Sequence, residues 1–264
     1  MNEKIGFVGC GNMGSAILEG LLKNKIAARN HIFIFDPVPV KLRALHKQFS
    51  IQICKNNEEV IQKSSIVILA IKPQELGNLS RTLKSELKNK TVVSILAGTP
   101  IAKVKKLLGN KNTVARAMPN LSAKVGESMT AIAGDPAGIT KAKIIFSGCG
   151  EVIQLPEAYF DLFTAVSGSG PAYFFFLMEL LASYLQKNGV TSGSAKQMAV
   201  QTAFGAAKLA KISHEHPEIL RKQVTSRGGT TEAALSVLFS KKVPQIFNQA
   251  LAKAVRRAKE LSRG

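Results

Sequence analysis

The chain has 264 residues, 45% of them apolar, and carries a formal charge of +19 from 36 basic and 17 acidic side chains. That length fits two medium domains with a sizeable core, and the apolar content excludes a disordered or low-complexity chain. The basic groups (Lys103, Lys105 and Lys106; Lys241 and Lys242; Arg256, Arg257 and Lys259) are dispersed over expected helix faces, and the aromatics lie apart from them, so no stacking platform forms and no nucleic-acid partner is expected.

Taken in chain order, residues 4–9 read as a buried strand and 15–23 as a helix, with apolar positions at Ile17, Leu18, Leu21 and Leu22. A second strand at 31–35 stops at Asp36-Pro37, and 40–49 is helical. A strand at 65–71, a helix at 76–87, a strand at 91–96 and a helix at 101–108 follow. Strands at 112–117 and 129–133, a helix at 136–149 and a short strand near Val152 complete the first half. Strands alternating with helices imply a parallel sheet covered on both faces, an α/β Rossmann-like doubly wound domain over residues 1–158.

From residue 159 to 264 no strand pattern remains. Helices are expected at 159–165, 171–188, 192–210, 217–224, 230–241 and 243–261, giving an all-helical second domain. The helix at 171–188 is apolar on most sides, with Phe174, Phe175, Phe176, Leu177, Leu180 and Leu181. In a domain of about 100 residues such a helix has nowhere to hide alone, which points to a subunit interface.

Three cysteines, Cys10, Cys54 and Cys149, form no CxxC pair and leave an odd count, as in a reducing compartment. Residues 1–4 lead into a strand without a signal-peptide pattern, and the apolar run 172–185 is short for a bilayer and contains Glu179. The expectation is a soluble, cytoplasmic chain with no membrane partner.

Gly9-Cys10-Gly11-Asn12-Met13-Gly14 matches G-x-G-x-x-G after a strand and at the opening of a helix. Asp36 ends the second strand 22 residues beyond Gly14, near the spacing of a ribose-binding carboxylate. Asp36 favours NAD, whereas Lys41 and Arg43 either offset its charge or face solvent. Far downstream, Ser226-Arg227-Gly228-Gly229-Thr230-Thr231 precedes an apolar helix. It reads either as a helix cap or as an anion cradle offering unpaired N–H groups and hydroxyls. His214-Glu215-His216 does not place both imidazoles on one helical face and adjoins Pro217, so these are cap residues and no metal site is expected.

With both motifs in hand, the chain resembles the pyrroline-5-carboxylate reductases of proline biosynthesis over essentially its whole length. The resemblance rests on Ile5-Gly-Phe-Val-Gly-Cys-Gly-Asn-Met13, Ala70-Ile71-Lys72-Pro73-Gln74, Ser94-Ile-Leu-Ala-Gly98 and Arg116-Ala-Met-Pro-Asn120. It continues through Ala165-Val-Ser-Gly-Ser-Gly-Pro-Ala-Tyr173, Gln201-Thr-Ala-Phe-Gly-Ala-Ala-Lys208 and Val224-Thr-Ser-Arg-Gly-Gly-Thr-Thr231. Two positions depart from the family pattern: Leu121-Ser122 follow Asn120 in place of Thr-Pro, and Arg227 replaces Pro.

The resemblance implies NADPH- or NADH-dependent hydride transfer to the cyclic imine 1-pyrroline-5-carboxylate, giving L-proline. It implies that Ser226, Gly229, Thr230 and Thr231 hold the substrate carboxylate, with Gln223 a weaker candidate. The Thr231 hydroxyl would meet the ring nitrogen as the catalytic contact. Gly9, Cys10, Gly11, Asn12, Met13, Gly14, Asp36, Asn56, Ala70, Ile71, Lys72 and Pro73 would line the cofactor's ribose and phosphates. Ala97, Gly98, Met118, Pro119 and Asn120 would lie on the nicotinamide side. The family pairs subunits through the helical domain, and the expected partner is a second copy, in a dimer or a decamer of dimers. A hydroxyacid reductase of the same architecture would be expected to carry a Lys on the long helix, where 171–188 has only Lys187, at its far end. A third reading is a basic nucleotide sensor without turnover. The +19 charge either draws in anionic ligands or reflects general composition.

Overall fold

The computed structural model describes residues 1–83 and 86–263. Its first compact unit comprises Met1–Gly168 and the chain from Val255 onward; the second is Ser169–Ala254.

The first unit is built on eight strands: β1 (Ile5–Val8), β2 (Ile32–Phe35), β3 (Gln52–Ile53), β4 (Ile66–Leu69), β5 (Thr91–Ser94), β6 (Thr113–Met118), β7 (Ser128–Gly134) and β8 (Gly150–Gln154). Their order across the sheet is β3-β2-β1-β4-β5-β6-β7-β8. The helices are α1 (Asn12–Lys23), α2 (Pro39–Phe49), α3 (Asn57–Lys63), α4 (Leu76–Leu83), α5 (Ile101–Leu108), α6 (Pro136–Ser147) and the short α7 (Phe160–Phe163).

The central strands read as unbroken apolar runs because both of their faces are covered. Ile5, Phe7, Ile32, Ile34, Ile66, Ile68 and Val93 pack with Ile17, Leu18, Leu21 and Phe146. Val8, Phe33, Val67, Leu69 and Val92 pack in the opposite layer with Val60, Leu76, Val104 and Leu108. Alternate residues of one strand therefore feed two separate cores, as the two-residue period of a strand requires.

The expected parallel sheet is present, with one pair of strands running the other way. β6 and β7 pair antiparallel, with Ala115 opposite Gly134 and Met118 opposite Ala131. A parallel return needs a crossover of a dozen or more residues, and only a 3₁₀ turn, Leu121–Val125, lies between them. Two further elements are absent from the sequence reading. β3 is a two-residue exposed edge strand, and α3 is a seven-residue helix that buries only Val60 and Ile61. Of the helix expected at 76–87, Leu76–Leu83 is observed, while residues 84 and 85 lie outside the described residues.

The second unit holds α8 (Gly170–Lys187), α9 (Ser192–Ser213), α10 (Pro217–Gln223), α11 (Thr230–Ser240) and the start of α12 (Val243–Arg263). In its eighteen residues α8 buries only Gly170, and Phe174 and Tyr184 are 62% and 71% exposed. Ahead of α8 the backbone winds as a π-helix over Thr164–Gly168, and Pro171 sits in the first turn of α8. By length and apolarity alone, Glu157–Lys187 reaches what a membrane crossing requires, longer than the 172–185 run read from the sequence. His214 is the left-handed C-cap of α9, and His216 is the N-cap of α10, its Nδ1 accepting the Glu218 N–H at 3.4 Å.

Candidate active site

The sheet order reverses at β1, which has β2 on one side and β4 on the other. In open α/β sheets, the carboxyl ends of the strands at such a switch point form the binding crevice. Every cofactor residue expected from the sequence follows the carboxyl end of a strand in the parallel set β1–β6. The glycine loop follows β1, Asp36 follows β2, Asn56 follows β3, Ala70 to Pro73 follow β4, Ala97 and Gly98 follow β5, and Met118 ends β6 with Pro119 and Asn120 directly after it. The fold thus gathers residues spread over more than a hundred positions onto one sheet edge.

The three loop glycines have distinct surroundings. Gly9 takes φ +92°, and its N–H donates to the Phe35 carbonyl at 2.9 Å. A Cβ at Gly14 would stand 2.9 Å from the Gly9 carbonyl oxygen and 3.1 Å from Ala70 Cβ. A Cβ at Gly11 would meet nothing within 4 Å. The first and third glycines therefore let the chain turn and pack tightly, and the second leaves an open approach. Just there α1 begins, and among the described residues the N–H groups of Gly11, Asn12, Met13 and Gly14 have no partner. Unpaired N–H groups at the positive end of a helix fit a pyrophosphate.

Asp36 is buried at the rim of this loop. Its Oδ2 accepts the Cys10 N–H at 2.8 Å, its Oδ1 accepts the Val38 N–H at 2.9 Å, and Lys41 Nζ lies 3.8 Å from Oδ1. The Cys10 thiol beside it is pushed up to about 12, first by burial and then by the Asp36 charge. It stays a protonated, unreactive thiol at neutral pH. Asn56 caps α3, its Oδ1 accepting the Glu59 N–H at 2.9 Å. Lys72 is exposed and precedes a 3₁₀ turn, Pro73–Glu75.

At the other end of the crevice, Gly98 turns at φ +62°, and a Cβ there would lie 2.9 Å from the backbone of Leu261 in α12. Asn120 has both ends of its carboxamide engaged: Oδ1 accepts the Ser122 N–H at 3.0 Å, and Nδ2 donates to the Ser167 carbonyl at 3.1 Å. Its own N–H donates to Ser128 Oγ at 3.0 Å. Asn120 therefore acts as a clasp between the end of β6 and the π-helical turn, which holds Met118 and Pro119 in place. Arg116, one turn of strand earlier, is buried, pairs with Glu157 at 3.0 Å and stacks 4.7 Å over Phe160.

The expected substrate residues belong to the second unit and lie in the turn between α10 and α11. Gly229 is the N-cap of α11, and its N–H donates to the Ser226 carbonyl at 3.0 Å. In this turn and the first turn of α11, the N–H groups of Ser226, Arg227, Thr230, Thr231 and Glu232 have no partner among the described residues. Gln223 ends α10; Ser226, Arg227 and Thr230 are exposed, and Thr231 is half-buried. The sequence reading missed Glu232, whose carboxylate accepts the Gly228 N–H at 2.6 Å and holds the turn wound. A Glu three residues past the cap is one half of a capping box, here without a capping side chain at Gly229 and with the bond made to Gly228.

Comparison with known proteins decides the family. A reductase of Methanosarcina acetivorans named pyrroline-5-carboxylate reductase is 37% identical over 267 residues, which cover 99% of each chain. The chain belongs to the pyrroline-5-carboxylate reductase family. The family model described as pyrroline-5-carboxylate reductase dimerisation matches residues 157–261, and one described as NADP oxidoreductase, coenzyme F420-dependent, matches 4–98. The crystal structure of the Coxiella burnetii reductase superposes with a TM-score of 0.92 at 33% identity and 99% coverage of both chains. A Plasmodium falciparum pyrroline carboxylate reductase structure with NADP bound has a TM-score of 0.88 at 28% identity, covering 99% of this chain and 98% of its own.

Proposed function

We propose that the chain reduces 1-pyrroline-5-carboxylate to L-proline with NADH or NADPH, the closing step of proline biosynthesis. The observation that carries this reading is the Ser226–Thr231 turn. It presents unpaired N–H groups at a helix N-terminus beside a half-buried threonine hydroxyl, which suits a small substrate bearing a carboxylate next to a polar ring atom.

When bound, the nicotinamide supplies the hydride. The residues after β1 to β6 hold the dinucleotide: the α1 N-terminus takes the pyrophosphate, Asp36, Asn56 and Ala70 to Pro73 line the ribose side, and Ala97, Gly98, Met118 and Pro119 shape the nicotinamide side. Asn120 acts here by holding Met118 and Pro119. The N–H groups of Thr230 and Thr231, with Ser226 and Gln223, take the substrate carboxylate. The Thr231 hydroxyl bonds the ring nitrogen, orients it and keeps a proton there, so that the imine carbon is electrophilic. Catalysis is positioning and electrostatics, which needs no strong internal base. In this reading residues 1–158 serve the dinucleotide, and 159–264 serve substrate and subunit pairing.

The apolar surface of α8 faces a second copy of the chain rather than a bilayer. Support comes from the match of 157–261 to a dimerisation region and from Asp161 and Glu179 within the apolar stretch. Further exposed apolar residues on α9, α11 and α12, among them Phe204, Phe239 and Phe247, support an assembly that continues from the dimer to a decamer of dimers. Three free, buried cysteines suit a cytoplasmic site of action.

The test follows oxidation of NADH and of NADPH in the presence of 1-pyrroline-5-carboxylate, with L-proline measured as product. Wild type should turn over, and Thr231→Ala should lose roughly 1–3 kcal/mol in kcat/KM, the cost of one hydrogen bond in the site. Absence of proline with either cofactor would defeat the reading.

A further inference from the structure

Asp36 combines three properties that bear on which dinucleotide this chain takes. It is 6% exposed. Its two oxygens accept from two backbone N–H groups, Cys10 at 2.8 Å and Val38 at 2.9 Å, and the first of these lies inside the glycine loop. It stands at the carboxyl end of β2, where the adenosine ribose of a dinucleotide lies in this fold.

A carboxylate fastened at both oxygens cannot rotate away from an incoming group without stranding both N–H groups, and leaving the buried Cys10 donor unpaired is costly. Each carboxylate oxygen has two lone pairs. The fixed Asp36 therefore still has room to accept hydrogen bonds from ribose hydroxyls. It has nothing to donate to a 2′-phosphate, which brings only acceptor oxygens and negative charge. The nearest cation is Lys41, whose Nζ is 3.8 Å from Oδ1 and whose side chain is half-exposed. Its charge is already shared with Asp36 and screened by water, so it offers a phosphate less than the buried carboxylate takes away. Arg43 is exposed and has no ion pair with Asp36.

We propose that Asp36 is a latched selectivity residue that makes this chain take NADH in preference to NADPH. The proposal rests on the dinucleotide reading of the preceding subsection and goes beyond it, because a relative with NADP bound shows that the family as such admits the 2′-phosphate. The selection is assigned to the fixed carboxylate of this chain.

Calorimetric titration of the full-length protein with NADH and NADPH tests it, alongside ADP-ribose and 2′-phospho-ADP-ribose as probes that lack the nicotinamide. The expected result is at least tenfold tighter binding of NADH, with the same preference between the two ADP-ribose probes. Asp36→Asn, which keeps the shape and one acceptor oxygen, should shrink that preference tenfold or reverse it. Lys41→Ala should leave NADH preferred. Equal or tighter binding of NADPH by wild type overturns the proposal while leaving the reductase reading intact, as does an Asp36→Asn protein with an unchanged ratio. If Asp36→Asn does not fold, the wild-type ratio still decides. Binding of neither dinucleotide removes the reductase reading, and the proposal with it.

Discussion

Helix α1 and helix α8 are both apolar, yet they end in opposite environments. Of twelve residues in α1, six are buried: Gly14, Ala16, Ile17, Leu18, Gly20 and Leu21. Of eighteen in α8, only Gly170 is. The sheet unit closes its own two cores, whereas the helical unit leaves Phe174, Phe175, Phe176 and Leu177 more than half exposed. Contiguous apolar surface of this kind is expensive in water and marks an interface. The first unit thus closes its own cores, and in the reading proposed above the exposed face of the second is completed by another copy of the chain.

The largest expected effect breaks the second half of that comparison. Phe176→Glu places a charge in the paired surface, which should weaken self-association by on the order of 3–5 kcal/mol. Sedimentation should show a shift to lower mass, with turnover lost in parallel. An unaltered mass would mean that the exposed face of α8 is not the interface.

Next in size is a pair of glycine variants that probes the first unit. A Cβ at Gly14 meets the Gly9 carbonyl, so Gly14→Val should cost roughly 1–3 kcal/mol in thermal unfolding and also abolish dinucleotide binding. A Cβ at Gly11 meets nothing in the chain. Gly11→Ala should therefore melt like wild type while its affinity for NADH falls. Equal melting losses in the two variants would contradict the separate roles given to these glycines.

Asn120→Ala should cost about 1–2 kcal/mol, since it deletes the side-chain bonds to Ser167 and to the Ser122 N–H. Its kcat should fall along with its melting temperature, because Met118 and Pro119 lose their anchor.

The smallest effect concerns Asp135. Burial opposes its ionisation, but Lys105 at 2.7 Å and the Val114 N–H at 2.7 Å together hold its carboxyl below the ordinary range. A depressed carboxyl adds stability above its unfolded value, and that stability is lost as pH falls through the folded value. Asp135→Asn should thus cost under about 1 kcal/mol near neutrality, since the pair is a third exposed. The gap from wild type should narrow below about pH 4, the usual carboxylate range, and then close. A gap independent of pH would argue against the ion pair.

What the sequence made legible follows from where the signals lie. Ile32 to Phe35 and Ile66 to Leu69 stand out as strands because both faces are buried and no polar residue interrupts them. The glycine loop is legible because its context, strand before and helix after, is local. β3 and α3 were hidden because two exposed residues carry no period, and α3 shows only the Asn56 and Glu59 cap spacing. The antiparallel pairing of β6 and β7 was legible in the absence of any helix between the strands read at 112–117 and 129–133, a gap too short for a parallel crossover. The Asn120–Ser167 clasp spans 47 positions, so nothing local announces it. The second engagement of Asp36, with Cys10, was likewise invisible: spacing suggests a ribose ligand, but only the folded loop shows that the carboxylate is fixed.

The contrast between a unit that closes its own core and one that does not is tested most directly by the mass of the wild-type chain in solution. Sedimentation equilibrium at micromolar concentration should find a closed assembly of at least two copies of the 28.3 kDa chain. A stable, active 28.3 kDa monomer would contradict the account.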